Sequence, residues 1–298
     1  MLLSTSTNLI AFRPDWVSYT PILESMKRLK NAGFDALDLN LSDAGKSFFR
    51  LADDDWHSWM EEVVCLAQEL RMPITQSHAP FYNALVPEHE KAEIWEPLIQ
   101  RAIEASGMAG VKWIVMHPGT YPDDAMDMRE SKRRNYEYFM PYLEQAERWG
   151  CGIAIENLVD RDSGHRRPGR TYGASPVELC DLVDSFHVPN VGICWDFGHA
   201  HLMGIDQREA LRYMGSRLKA THVADNSGKN DDHILPFMGT IDWRSILPVL
   251  GEIDYGGDLT FEIHNVTSRL PDEVVDTMAS TCEAVGRYLL KLACQMLP

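Results

Sequence analysis

Eight short apolar runs, each followed by a longer amphipathic stretch, recur from one end of this 298-residue sequence to the other. The short runs are Leu2–Asn8, Phe34–Asn40, Ile74–His78, Trp113–His117, Ile153–Asn157, Val191–Asp196, Ala220–Val223 and Leu259–Ile263. Apolar residues predominate in most of them, as expected of strands covered on both faces of a parallel sheet. Helical spacing fills the intervals: Tyr19–Asn31, Asp55–Leu70, Glu88–Ala109, Arg129–Trp149, Pro176–Ser185, Asp206–Met214, Trp243–Leu250 and Asp272–Met296. Gly33, Gly110, Gly150 and Gly251 stand where C-terminal helix caps fall. Strict alternation of this kind predicts parallel βα units, and closure removes the sheet edges, giving a single (β/α)8 barrel over residues 1–298. A doubly wound open sheet is the competing α/β fold. No GxGxxG or GxxxxGK follows the first strand to support it. Low-complexity runs, Ser/Gly linkers and shifts of composition that would mark a second domain are all missing.

Composition narrows the function classes. The formal charge of −16 disfavours a broad polyanion-binding surface, so nucleic acid is not the expected partner. The opening residues carry no positive charge ahead of their apolar stretch, and no run approaches 18 apolar residues, so neither a signal peptide nor a membrane span is expected. Cys65, Cys151, Cys180, Cys194, Cys282 and Cys294 are scattered without a CxxC pair. That spacing predicts reduced thiols and a cytoplasmic protein, with a homo-oligomer left open.

Polar residues of chemical interest close the strands. His78 ends the third in SHAPF, His117 the fourth in VMHPGT, Glu156 the fifth in IAIEN and Asp196 the sixth in GICWDFGHAH. His222 lies in the seventh in THVADN, and Glu262 ends the eighth in LTFEIHN. In a barrel those ends ring one mouth, where the active sites of this fold lie. A single His at a strand end is more often a hydrogen-bonded structural residue, and a single Glu can pair with a helix Arg. Burying three uncompensated carboxylates together is costly, however, and a cation relieves that cost directly. Glu156, Asp196, His222 and Glu262 form an oxygen-rich set that suits Mn²⁺ or Mg²⁺ and tolerates Co²⁺ or Zn²⁺. Cys194, two residues before Asp196, reads as core. Around these lie His78, His117, His199, Asp231 and His233, as ligands for a second or third metal or as substrate contacts. A plain solvated loop is the alternative for Asp231 and His233.

Assembled in this order, the chain resembles the xylose isomerase-like superfamily of barrels, in its sugar (phosphate) isomerase/epimerase branch. The resemblance spans nearly the whole sequence. Its most specific stretch, HVADNSGKNDDHILPFMGTIDW, is similar to the family's His-x-x-Asp-Asn…Asp-x-His…Gly-x-Ile-Asp-Trp signature. The resemblance implies that Glu156, Asp196, His222 and Glu262 hold the metal, that the two glutamates double as acid/base residues, and that His199 contacts a substrate oxygen. The superfamily also includes apurinic/apyrimidinic-site endonucleases with three zinc ions, whose ligand pattern can be traced onto His78, His117, Glu156, Asp196, His199, His222, Asp231, His233 and Glu262. One departure is Pro236-Phe237-Met238, which replaces a small, acidic stretch common in the family and bears on the substrate.

The chemistry this implies is proton transfer at a carbon next to a carbonyl of a keto sugar or polyol derivative, through an enediolate that a divalent metal stabilises. Isomerisation, epimerisation, dehydration and β-elimination share that first step. The alternatives are a metal-dependent phosphodiesterase and a non-catalytic sugar-binding barrel; the intact Glu156/Glu262 pair speaks against the latter. Phe12 and Trp16 are candidates to cover a sugar ring. The segment Leu158–Gly173 carries Arg161, Arg166, Arg167 and Arg170 with His165, and is either a solvated surface loop or a lid. As a lid, Arg166 or Arg167 would reach a substrate oxygen or phosphate, with Gly164, Gly169 and Gly173 as hinge points.

Overall fold

The first strand, β1 (Leu3–Ser6), pairs in parallel with both β2 (Ala36–Asn40) and β8 (Leu259–Phe261), which an open sheet with β1 at its edge could not do. Between them β3 (Ile74–His78), β4 (Trp113–Met116), β5 (Gly152–Glu156), β6 (Val191–Asp196) and β7 (Leu218–His222) follow in sequence order, each parallel to the last. The ring closes where Val223 bridges Phe261, with Val223 N–H donating to Thr260 O at 2.8 Å and Glu262 N–H to Val223 O at 3.2 Å. The protein is therefore a single (β/α)8 barrel. This computed structural model describes residues 1–11, 19–43, 50–89, 92–122, 128–160 and 169–294.

Helices cover the outside: α1 (Ile22–Ala32), α2 (Trp56–Glu69), α3 (Ala92–Met108), α4 (Arg129–Arg148), α5 (Pro176–Phe186), α6 (Phe197–Leu202), α7 (Gln207–Met214), α8 (Trp243–Ile246), α9 (Pro248–Glu252) and α10 (Asp272–Ala293). Three of the four expected glycine caps are left-handed, as at Gly33 (φ 108°), whose N–H reaches the carbonyls of Leu29 and Lys30. Gly251 is the exception. The expected helix Trp243–Leu250 divides at Leu247-Pro248, because proline has no N–H to continue the ladder. The second piece carries Gly251 inside it, and the left-handed turn falls instead on Asp254 (φ 52°). Among the described residues no helix is long and apolar enough to cross a membrane.

Alternation along each strand sends one set of side chains outward to the helices and the other into the barrel. Ile153, Ile155, Ile193 and Trp195 point outward into the large core between sheet and helices. Val115, Ala154, Cys194 and Ala220 pack inside as a separate small cluster. Each of these four stands two residues before a strand-end group, namely His117, Glu156, Asp196 and His222, so the small layer is the floor on which those groups rest. Cys194 is indeed core, and burial pushes its thiol up to about 12.

The last helix is tied back to the first turn of the barrel. Arg287 of α10 grips Asp35 with a fork at 2.5 and 2.8 Å, and Asp35 also accepts the Leu3 N–H at 3.0 Å. The guanidinium holds the Asp35 carboxyl below its ordinary value. A depressed carboxyl contributes stability above its unfolded value of about 4, and that contribution is lost as pH falls through the folded value. We expect Arg287→Ala to lower the urea midpoint at pH 7 and to lie closer to wild type near pH 3; an equal gap at both pH values would contradict this.

Candidate metal centre

Glu156 sits at the hub of the barrel mouth, 1% exposed at the end of β5. Its Oε2 accepts from His117 Nε2 at 3.0 Å and faces His78 Nε2 at 3.3 Å. Its Oε1 lies 2.9 Å from His222 Nδ1. That same nitrogen is 3.4 Å from Oε2 of Glu262, which stands one residue past β8 rather than within it. Asp196 completes the group. Ligand atoms of Glu156, Asp196, His222 and Glu262 lie within 4.8 Å of one another. Three further groupings adjoin it: His78–His117–Glu156, His78–His222–Glu262, and His199–Asp231–His233.

The backbone aims these side chains. Asn157 locks the ends of β5 and β6 together, its carboxamide accepting from Asp196 N–H at 2.6 Å and donating to Asp196 O at 2.9 Å. Asp196 then caps α6, its Oδ1 accepting the His199 N–H at 2.6 Å, which satisfies one otherwise orphaned donor of that helix. Helix α6 thereby brings His199 back over the mouth. Three of the imidazoles share one orientation. His78, His199 and His233 each donate Nδ1–H to a backbone carbonyl, of Ala79, Asn157 and Glu262 respectively, at 2.7–2.8 Å. Each therefore turns Nε2 toward a carboxylate, and Nε2 is the nitrogen each would offer a cation once it gives up its proton.

The signature loop after β7 owes its shape to one buried carboxylate. Asp225 accepts from the N–H groups of Asn226 (2.9 Å), Phe237 (2.9 Å) and Ile241 (3.2 Å) and from the Trp243 indole (2.8 Å). A Cβ on Gly239 would lie 2.2 Å from Asp225 Oδ1, so only glycine fits there. The family-like Asp…Gly-x-Ile-Asp-Trp residues are thus a structural knot. It presents Asp231 and His233, whose side chains meet at 3.0 Å, and His199 reaches the same Asp231 oxygen at 3.3 Å. His233 is held at φ 44°, a sparsely populated conformation that the knot imposes.

The electrostatics follow from burial against close charges. Burial alone would raise Glu156, yet His222 and His117 hold its carboxyl well below the ordinary range. Burial pushes Asp196 up to about 6, against the opposing charge of His199. Burial opposes charge on His233, but Asp231 outweighs it and lifts the imidazole to about 10. Among the four grouped side chains, Asp196 Oδ2 is a carboxylate oxygen buried with no hydrogen-bond partner. An unpaired buried carboxylate oxygen facing two other carboxylates fits a divalent cation, and the oxygen-rich donor set is of the type such ions prefer.

All nine strand-end and loop residues singled out from sequence meet at this mouth, around a cavity of about 640 Å³. Phe12, Trp16, Arg161, His165, Arg166 and Arg167 lie outside the described residues. Arg170 is described and pairs with Glu178 of α5 rather than facing the mouth. Pro236-Phe237-Met238 does not line the cavity; Phe237 and Met238 are exposed, 45% and 61%, on the outer surface. Sequence reasoning missed Phe81, which stacks on His117 at 4.2 Å, and Trp95, Asn40 and His264, which line the cavity. It also missed Asp38 of β2, whose Oδ2 is 3.5 Å from His222 Nε2.

With this geometry in place, comparison with known proteins is decisive for kinship. Residues 26–283 match the sequence profile of the xylose isomerase-like TIM barrel family. The chain belongs to that family. Within it, 169 residues are 43% identical to the uncharacterized protein y4fM of Sinorhizobium fredii, a match covering 55% of this chain and spanning about half, 51%, of that protein. An inosose isomerase of Bacillus velezensis is 26% identical over 203 residues, covering 64% of this chain and 68% of its own. Among solved structures, a D-tagatose 3-epimerase-like protein superposes with a TM-score of 0.76 over 98% of both chains, at 21% identity. At that identity the likeness is one of fold.

Proposed function

We propose that this xylose isomerase-like barrel is a divalent-metal-dependent isomerase or epimerase acting on a keto sugar or polyol derivative. The observation that carries the reading is the convergence of Glu156, Asp196, His222 and Glu262 at the floor of an open cavity. The sugar-acting names of the inosose isomerase and the D-tagatose 3-epimerase-like protein support the substrate class. When bound, a divalent cation, Mn²⁺ foremost, supplies Lewis-acid polarisation of the carbonyl and offsets the three carboxylates. Glu156 and Glu262, from nonadjacent strands, move the proton: one takes it from the carbon beside the carbonyl and the other returns it. Glu156, kept ionised by its histidines, is ready to accept. His199, braced by Asn157 and Asp231, orients a substrate oxygen. The aromatic face of Phe81 covers the apolar side of the sugar. Dehydration or β-elimination of a keto sugar would begin with the same step.

The test is elemental analysis of the purified protein beside a screen of keto sugars for exchange of substrate hydrogen with solvent. One tight Mn²⁺-class ion per chain together with exchange is the expected result; neither metal nor exchange would overturn the reading. A second reading, a metal-dependent phosphodiesterase of the endonuclease type, draws on the two flanking groupings, His78–His117–Glu156 and His199–Asp231–His233. Three zinc ions per chain and cleavage of an abasic duplex would favour it instead.

A further inference from the structure

His222 differs from its neighbours in which nitrogen faces the centre. Where His78, His199 and His233 turn Nε2 inward and rest Nδ1 on a backbone carbonyl, His222 turns Nδ1 inward, toward Glu156 and Glu262. Its Nε2 therefore points to the rear, deep in the barrel, and no backbone carbonyl receives it: the atom is buried without a hydrogen-bond partner. Facing it at 3.5 Å is Oδ2 of Asp38, 1% exposed, with neither carboxylate oxygen hydrogen-bonded to any other group. The pairing of β2 with β3 shifts register between Leu37 and Asp38, so that Asp38 aligns with Gln76. Such irregularities re-aim side chains beside active sites. An isolated buried carboxylate is costly, and the rear N–H of this imidazole faces it.

We propose that Asp38 is a positioning residue for the metal centre: it holds the proton on His222 Nε2, so that Nδ1 offers its lone pair to the cation shared with Glu156, Asp196 and Glu262. This rests on the metal reading above. A carboxylate behind a ligating histidine fixes both ring orientation and tautomer, and its loss typically costs 10–100-fold in metal affinity. Asp38 does not line the cavity; it does for His222 what backbone carbonyls do for His78, His199 and His233.

The experiment pairs Mn²⁺ titration of wild type, Asp38→Ala and Asp38→Asn with nitrogen NMR of the histidine-labelled protein. The expected results are a slowly exchanging His222 Nε2–H in metal-free wild type that disappears in Asp38→Ala, and a Mn²⁺ dissociation constant raised about 10–100-fold in both variants. Zn²⁺-loaded wild type should show His222 protonated on Nε2. Asp38→Asn preserves volume, so it reports should Asp38→Ala fail to fold. Unchanged Mn²⁺ affinity in Asp38→Asn, or a Zn²⁺-loaded His222 protonated on Nδ1, would overturn the role of Asp38. Wild type that shows the Nε2–H signal but binds no divalent ion would overturn the metal reading itself, and with it this role.

Discussion

Glu262→Gln is expected to lower exchange of substrate hydrogen with solvent by at least about 10²-fold, the scale of general acid–base catalysis, and to do so even at saturating Mn²⁺. The amide is nearly isosteric, keeps one oxygen for the cation and cannot accept a proton. Metal affinity should fall as well, because one of three carboxylates in the group is neutralised. The two effects separate in a titration read by exchange at each metal concentration. If exchange returns fully once metal is restored, Glu262 only holds the ion and the acid/base assignment is wrong. The same comparison with Glu156→Gln should show a larger loss. That carboxylate also anchors His117 and His222, so removing its charge disturbs two imidazoles together.

Asp225→Ala carries the largest expected effect on stability. Three backbone N–H groups and the Trp243 indole converge on that one buried carboxylate. Alanine leaves four donors without their acceptor, three of them buried, and losses of this kind in the interior run to about 3–5 kcal/mol. Urea denaturation of the variant is the measurement, and a loss below about 1 kcal/mol would show that the knot is not what holds the loop. A milder variant, Asp225→Asn, should retain part of the stability while weakening whatever binds at Asp231 and His233.

Much of this was readable in the chain beforehand because parallel strands buried on both faces are so apolar that a polar residue at a strand end stands out. Glu156, Asp196 and His222 interrupt runs of Ile, Ala, Cys and Val, and the topology then brings them together without further assumptions. Asp38 obeyed the same rule and was passed over. It sits inside Phe34–Asn40 rather than at its end, though a lone acid in an apolar strand is an equal signal of a buried partner. Helix α6 escaped notice because six residues rich in Gly and His show little periodicity; the Asp196 cap was its one marker. Phe81 and Trp95 could not be distinguished from ordinary core aromatics, since their role depends on which side of a loop faces the cavity. Conversely, the motif most suggestive of chemistry, Gly-x-Ile-Asp-Trp, is mainly architecture. Hydrogen bonds from a loop to one carboxylate leave no periodic trace in sequence.

The four converging ligands come from β5, β6, β7 and β8, each from one strand or the residue just after it, while β1 to β4 provide walls, flanking imidazoles and the support behind His222. Labour is thus divided along the chain, and the division has a temporal side. Since translation delivers the amino-terminal half first, a nascent chain presents the His78–His117–Glu156 grouping of the β3, β4 and β5 ends well before the four-residue grouping that includes Glu262. The four-residue grouping has to await the last strand, when the ring closes through Val223 and Phe261. Assembly of that grouping is therefore coupled to completion of the barrel, and its geometry belongs to the finished ring rather than to any half of it.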